Sequence, residues 1–420
     1  MSPSIAVGIF GLIIIIGFLG EIFFEYSKIP SILFLMAAGL LLGPCYHLFN
    51  QGVFLSFAPY LSTLVLVLIM FQGGIELDFL TVFKSSYLSM ILIVIGLALS
   101  IILVGGVFYL TGGGNIMQSL MLGVIVSCSS STVIMPLLPN IDANEKSKTV
   151  IAIESTFNDA FAIIILIIFI NIAKNSSANF SIGGIALQTF YSFAISGFVA
   201  VIAGIIWYSL LKFLARTKFA YSVTFGAMLA IVLIMHYIHG NGAIAILIFG
   251  IMMGNEELLT KLKLNFFNMS IKNSVIKKFN HEFSFLIRTV FFVFLGVVAE
   301  FNKIGLEFFL RLFVIVLLIV ISRYIAVSSI FKLQNIKKNS ESGVNDVNDV
   351  KKEKFFMFSM IGRALATAIM AYMPLNSGIK GTSKFPEYAF AVIIATNILL
   401  TAGVWYGSHK YKKRTHMPSL

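Results

Sequence analysis

Apolar runs separated by short polar breaks follow one another along almost all of the 420 residues. A helix crosses a hydrocarbon core of ~30 Å with about 20 residues at ~1.5 Å each. Segments of that length, or close to it, fall at 5–24, 30–45, 58–76, 87–111, 116–138, 149–173, 183–214, 221–238, 241–254, 283–300, 304–331, 355–375 and 386–407. The pattern predicts an all-α polytopic membrane protein of thirteen spans. The second and ninth are short and end in glycine-containing turns. The seventh, 183–214, is long enough to be a tilted or linking helix.

Composition agrees with this pattern: 58% of residues are hydrophobic and 11% charged, against about 25% charged in soluble domains. The net charge of +12 would suit a nucleic-acid partner, but the basic residues lie at the ends of apolar runs. With the N-terminus outside, 22 of the 30 lysines and arginines fall in cytoplasmic connections and four (Lys174, Lys303, Lys380, Lys384) in external ones. That asymmetry predicts an N-terminus outside and a C-terminus in the cytoplasm, in a cell membrane, with no nucleic acid bound. Cys45 and Cys128 suggest neither a disulfide framework nor a metal cluster. The first segment lacks a basic leader and reads as a retained span. Residues 332–354 are expected to form a flexible loop.

Two pairs of motifs repeat. Span two ends "AAGLLLGP" and span nine "IFGIMMGN"; span three gives "MFQGGIEL" and span ten "VFLGVVAE". An offset of seven spans makes the copies cross in opposite directions, as in inverted-repeat secondary transporters. The expected organisation is a first repeat over 1–182, a linking helix 183–214, a second repeat over 221–407 and a basic tail 408–420.

Ionisable residues inside the spans are few, and each is a candidate for function. Span six, "IAIESTFNDAFAIIILIIFI", carries Glu154 and Asp159; Asp159 lies ten residues in, near mid-membrane. Glu154 and Asn158 are four apart and share a face, as do Ser155 and Asp159 on the adjacent face. Structural pairing of both carboxylates with arginines is the alternative. Span five contains "SCSSSTVIMP", where Pro136 withholds a backbone donor and crowds the Thr132 carbonyl. Broken backbone at that depth needs a lined cavity, and hydroxyls and freed carbonyls suit an alkali cation. The competing reading is that these serines bond their own helix. Glu307 and Arg311 read as a structural pair.

The Glu-Ser-x-x-Asn-Asp sequence of span six resembles the signature of the cation:proton antiporter superfamily, in its sodium/proton exchanger (NhaP-like) branch. "GLLLGP", "FQGGIELDF", "SSSTVIMPLL", "FFVFLGVVAEF" and "GRALATAI" occur in that family's order and cover nearly the whole chain. The resemblance implies a homodimer whose core has two broken helices, spans five and twelve, crossing beside the ion site. It implies that Asp159 binds cation or proton, helped by Ser155, Asn158 and span-five hydroxyls such as Ser129 and Ser130. Arg363 would hold Glu154 and Asn158; Glu76 and Arg323 would form a second pair. The chain departs from the family at three places. Ser129-Ser130-Ser131 stands for Thr-Asp-Pro, Ala160 for the proline after Asn-Asp, and Ala364 for the glycine after the span-twelve arginine.

The expected activity is electroneutral exchange of sodium, or lithium or potassium, for protons by competition at Asp159, with no cofactor. Asn158 motivates the 1:1 stoichiometry, because electrogenic relatives carry a second Asp there. A potassium/proton antiporter is the runner-up, ahead of an organic-anion symporter of similar architecture. Enzyme chemistry is disfavoured, since Asp159 is the only aspartate at depth and no histidine lies mid-span.

Overall fold

A computed structural model describes residues 3–46, 51–76, 87–175, 182–214, 219–255, 273–299, 305–338 and 347–412. Among them the regular elements are all helical, and fifteen α-helices account for the thirteen expected spans because two spans are each split. They are α1 (Pro3–Ser27), α2 (Ser31–Leu40, continued by a π-helical turn Leu41–Cys45), α3 (Gln51–Glu76), α4 (Tyr87–Leu110), α5 (Ile116–Ile125) and α6 (Ser131–Leu137). There follow α7 (Glu145–Asn175), α8 (Ile182–Leu214), α9 (Ala220–Tyr237), α10 (Gly242–Gly254) and α11 (Asn273–Val298). The last four are α12 (Leu306–Lys338), α13 (Val347–Ser359), α14 (Leu365–Asn376) and α15 (Phe385–Lys412). Among the described residues eight helices are long and apolar enough to cross a membrane unbroken.

The chain divides into two compact units, each drawing spans from both predicted repeats. The first comprises Met1–Ser56, Ser86–Leu166 and Phe292–Leu420, the second Phe57–Ser85 and Ile167–Phe291. Within the first, α4 packs along α5 and α12, and α15 along α13 and α14. A buried hydrogen bond between Ser100 Oγ and Ser322 Oγ (3.1 Å) sets the register of α4 on α12. Within the second, α10 packs on α8 and α9. Its N-terminus is capped by Asn241, whose Oδ1 accepts from the Ile244 amide (3.2 Å).

The glycine motifs that mark the repeat are contact surfaces. In the first unit a side chain on Gly39 of α2 would strike the Val293 carbonyl and lie 2.8 Å from the Gly296 Cα of α11. In the second unit a side chain on Gly74 of α3 would strike the Leu247 carbonyl and lie 2.8 Å from the Gly250 Cα of α10. Real Cβ atoms do not approach so closely, so hydrogen at these positions lets the backbones meet. The inverted repeat maps span two onto nine and three onto ten. It therefore maps the contact of two with ten onto that of nine with three.

Spans five and twelve are the broken ones. The half-helix α5 opens on a capping box: the Gln118 amide donates to Asn115 Oδ1 (2.9 Å) and the Asn115 amide to Gln118 Oε1 (2.8 Å). It stops at Ile125, leaving residues 126–130 non-helical before α6. Residues 360–364 separate α13 from α14 in the same way. The two breaks are joined directly, the Ser130 amide donating to the Gly362 carbonyl at 3.0 Å. Span five thus opens within its serine run, and Pro136 lies inside α6. Serine hydroxyls compete with the helical ladder, and Ser127 Oγ donates to the Val124 carbonyl at 2.6 Å. The expected loop 332–354 is also shorter than its composition suggested. Residues up to Lys338 continue α12, α13 begins at Val347, and 339–346 lie outside the described residues.

Candidate functional site

Helix α7 brings Glu154, Ser155, Asn158 and Asp159 to the crossing, each more than nine-tenths buried. Spacings of four keep Glu154 with Asn158 and Ser155 with Asp159, so the two stripes meet different surroundings.

On the first stripe three donors converge on Glu154 Oε1. Ser129 Oγ donates at 2.5 Å, Asn158 Nδ2 at 3.3 Å, and Arg323 Nη1 pairs with it at 3.0 Å. Asn158 Nδ2 also donates to Ser129 Oγ at 3.0 Å, closing a ring of three side chains. The partner of Glu154 is therefore Arg323 of α12, in place of the expected Arg363. Arg323 bridges farther, its Nε donating to the Met357 carbonyl of α13 (3.1 Å). Glu76, the other expected partner of Arg323, belongs to the second unit, where its Oε1 accepts from Gln72 Nε2 at 2.9 Å. Glu154 Oε2, Asn158 Oδ1 and Arg323 Nη2 are buried without a hydrogen-bond partner among the described residues. Buried polar atoms of that kind are where water or an ion would be accommodated.

Arg363 serves backbone instead of a side chain. Its Nε donates to the Val126 carbonyl (3.1 Å), Nη2 to that of Ser127 (3.4 Å), and Nη1 to that of Ile361. These carbonyls follow the C-terminal ends of α5 and α13, where each half-helix presents about half a negative charge. One guanidinium answers both ends. The freed carbonyls of two breaks lie nearer this cation than the Glu154 carboxylate, which accounts for the exchange of partners between the arginines.

On the second stripe Asp159 is more than nine-tenths buried, and the neighbouring Cys128 thiol donates weakly to the Asn158 carbonyl (3.9 Å). The Ser155 hydroxyl donates to the Ala152 carbonyl of its own helix (3.1 Å). Ser130 sits at the foot of α6, sharing a hydrogen bond with Thr132 Oγ1 (2.8 Å). The structure thus brings Ser129, Glu154 and Asn158 into one ring paired with Arg323, and Arg363 onto the backbone of both breaks.

Two adjacent broken spans, hydrogen-bonded to each other beside a carboxylate-bearing helix, have a counterpart among known proteins. Residues 11–406 match the family profile described as "Sodium/hydrogen exchanger, transmembrane". The chain belongs to the sodium/hydrogen exchanger family. It is accordingly an integral, multi-pass membrane protein, and sodium/hydrogen exchangers are transporters, not enzymes. Among its curated relatives are proteins named K(+)/H(+) antiporter NhaP2 from Shewanella sp. strains ANA-3 and MR-4. Each is 24% identical over 232 residues, 54% of this chain and 40% of the relative, so the matched stretch is well under half the relatives' length. The fold matches that of the sodium proton antiporter MjNhaP1 from Methanocaldococcus jannaschii at pH 8, with a TM-score of 0.70, 18% identity and 98% of both chains covered. An electron-microscopy structure of the same antiporter gives 0.68 at 18% identity over 100% of both.

Thr396 and Asn397 of α15 also belong to the site, although nothing in the apolar run "VIIATNILL" beyond two adjacent polar residues points to them. The Arg363 amide donates to Thr396 Oγ1 (3.3 Å), and Asn397 Nδ2 donates to the Arg363 carbonyl (2.6 Å).

Proposed function

We propose that the protein exchanges a monovalent cation for a proton at Asp159, one for one, by alternating access. The observation that carries this reading is the burial of Asp159 on α7 beside the two helix breaks, at a depth where a carboxylate needs a purpose. Glu154 is matched by Arg323, and Arg363 serves the C-terminal ends of α5 and α13. Asp159 is the carboxylate we assign to the transported ligand. A proton or a dehydrated cation can neutralise it, and one excludes the other. A site that crosses the membrane only when occupied then couples the two flows. Asn158 spends its amide donors on Glu154 and Ser129, which supports a role in holding the ring. Ser155, one turn from Asp159, is the hydroxyl that would turn from its own helix toward a bound cation.

Sodium is the cation we favour, after the family and the antiporter whose fold is shared. Potassium is the second reading, favoured by the relatives named as potassium/proton antiporters. The N-terminus is placed outside by the distribution of basic residues, and the working form is taken to be a homodimer. The test is an imposed pH gradient in proteoliposomes, with sodium, lithium and potassium added in turn. Collapse of the gradient on addition, lost in Asp159→Asn without loss of the folded protein, supports the reading. Cation-driven collapse that persists in Asp159→Asn overturns it.

A further inference from the structure

Residues 360–364 stand out of the helix in span twelve, and the last span satisfies the backbone polar groups of Arg363 within them. Thr396 and Asn397 are fully buried, and between them they take both polar groups of the Arg363 backbone: the amide on Thr396 Oγ1 and the carbonyl on Asn397 Nδ2. Each side chain is also anchored on its own helix. Thr396 Oγ1 donates to the Val392 carbonyl (2.7 Å), and Asn397 Nδ2 donates to that of Ile393 (2.8 Å). The orientation of the Asn397 amide is determined by this arrangement. Turned over, it would set its oxygen against the carbonyls of both Arg363 and Ile393, so Oδ1 stays on the other side without a donor among the described residues.

We propose that Thr396 and Asn397 are a positioning pair for transport, the device that aims Arg363. A buried backbone N–H or C=O without a partner is costly. Only while α15 satisfies both groups does the non-helical conformation at 360–364 persist. That conformation sends the Arg363 guanidinium to the Val126 and Ser127 carbonyls of the other break. Those carbonyls lead into Cys128 and Ser129, whose side chains donate to the Asn158 carbonyl and to Glu154 Oε1 respectively. The last span, through Thr396 and Asn397, thereby sets the geometry of both breaks. The transport half of this inference rests on the exchange reading above; the structural half does not.

The test uses the isosteric pair Thr396→Val and Thr396→Ser, with Asn397→Asp as an independent variant. Thr396→Val removes the acceptor for the Arg363 amide, and Thr396→Ser keeps it. Amide hydrogen exchange of residues 360–364 in the solubilised full chain is expected to speed up at least ten-fold at Arg363 in Thr396→Val. In Thr396→Ser it should stay within two-fold of the parent. Asn397→Asp replaces the donor by an acceptor facing two carbonyls and should loosen the same segment. In proteoliposomes the cation concentration for half-maximal exchange should rise at least five-fold in Thr396→Val and return to within two-fold in Thr396→Ser. Unchanged amide exchange in both Thr396→Val and Asn397→Asp would overturn the inference whatever the flux. Amide exchange that responds as stated in a protein with no cation–proton flux would instead sink the exchange reading and leave the positioning intact.

Discussion

Arg323 Nη1 lies 3.0 Å from Glu154 Oε1, and both side chains are more than nine-tenths buried. A buried ion pair adds little net stability when compared with an apolar pair, but removing one member leaves a charge that nothing balances. Arg323→Met should therefore destabilise the protein by about 3–5 kcal/mol. Adding Glu154→Gln to Arg323→Met should recover most of that loss. Thermal unfolding in detergent measures both, and equal midpoints for the single and double variants would show that the pair is not the origin of the cost.

Ser129 and Ser155 should separate by phenotype. Ser129 donates to Glu154 and accepts from Asn158, so Ser129→Ala strips two partners from a buried ring and should cost about 1–3 kcal/mol. Ser155 donates only to its own helix, at the Ala152 carbonyl. Ser155→Ala should leave the unfolding midpoint nearly unchanged while raising the cation concentration for half-maximal exchange. The reverse assignment of the two effects would contradict the division of labour between the stripes.

The glycine contacts make a comparison possible without touching the ion site. Gly39→Ala and Gly250→Ala each place a methyl against backbone and should cost about 1–3 kcal/mol as overpacking. Gly73→Ala, in the same motif as Gly74 but with nothing within 4 Å of its added methyl, should be neutral or gain up to ~1 kcal/mol from helix propensity. Guanidinium-free unfolding by heat, read by circular dichroism, ranks the three. A Gly73→Ala variant as unstable as Gly39→Ala would argue against close backbone approach as the reason for the motif.

One-for-one exchange carries no net charge. A sodium gradient imposed on proteoliposomes should drive proton flux with no current, because each occupied state of Asp159 holds one positive charge. Solid-supported membrane electrophysiology on the same vesicles checks this. Transient currents that scale with the cation gradient and vanish in Asp159→Asn would mean that a second group titrates with it.

Much of this protein was legible in one dimension. Thirteen apolar runs, their lengths, the long seventh span and the repeat of glycine motifs all follow from a bilayer that demands about 20 apolar residues per crossing and satisfied backbone throughout. The same rule makes Asp159 stand out, since a carboxylate at that depth needs a purpose. The break in span five was legible only as a tendency. Its serines indicated it, yet Pro136 pointed to the wrong turn, because a side chain that can bond backbone opens a helix as readily as a missing donor does.

Partners across the bundle belong to the tertiary structure alone. Helical periodicity placed Glu154 and Asn158 on one face but could not say which of two buried arginines would meet that face. The answer depends on where the guanidinium of Arg363 finds carbonyls to serve, and those carbonyls exist only once two helices break at their crossing. Thr396 and Asn397 are the clearest case. In sequence they are two polar residues in an apolar run. In the fold they hold the amide and the carbonyl of one residue 33 and 34 positions away. Residue type and spacing determine which groups must be satisfied inside a membrane; the packing of spans determines which group satisfies which.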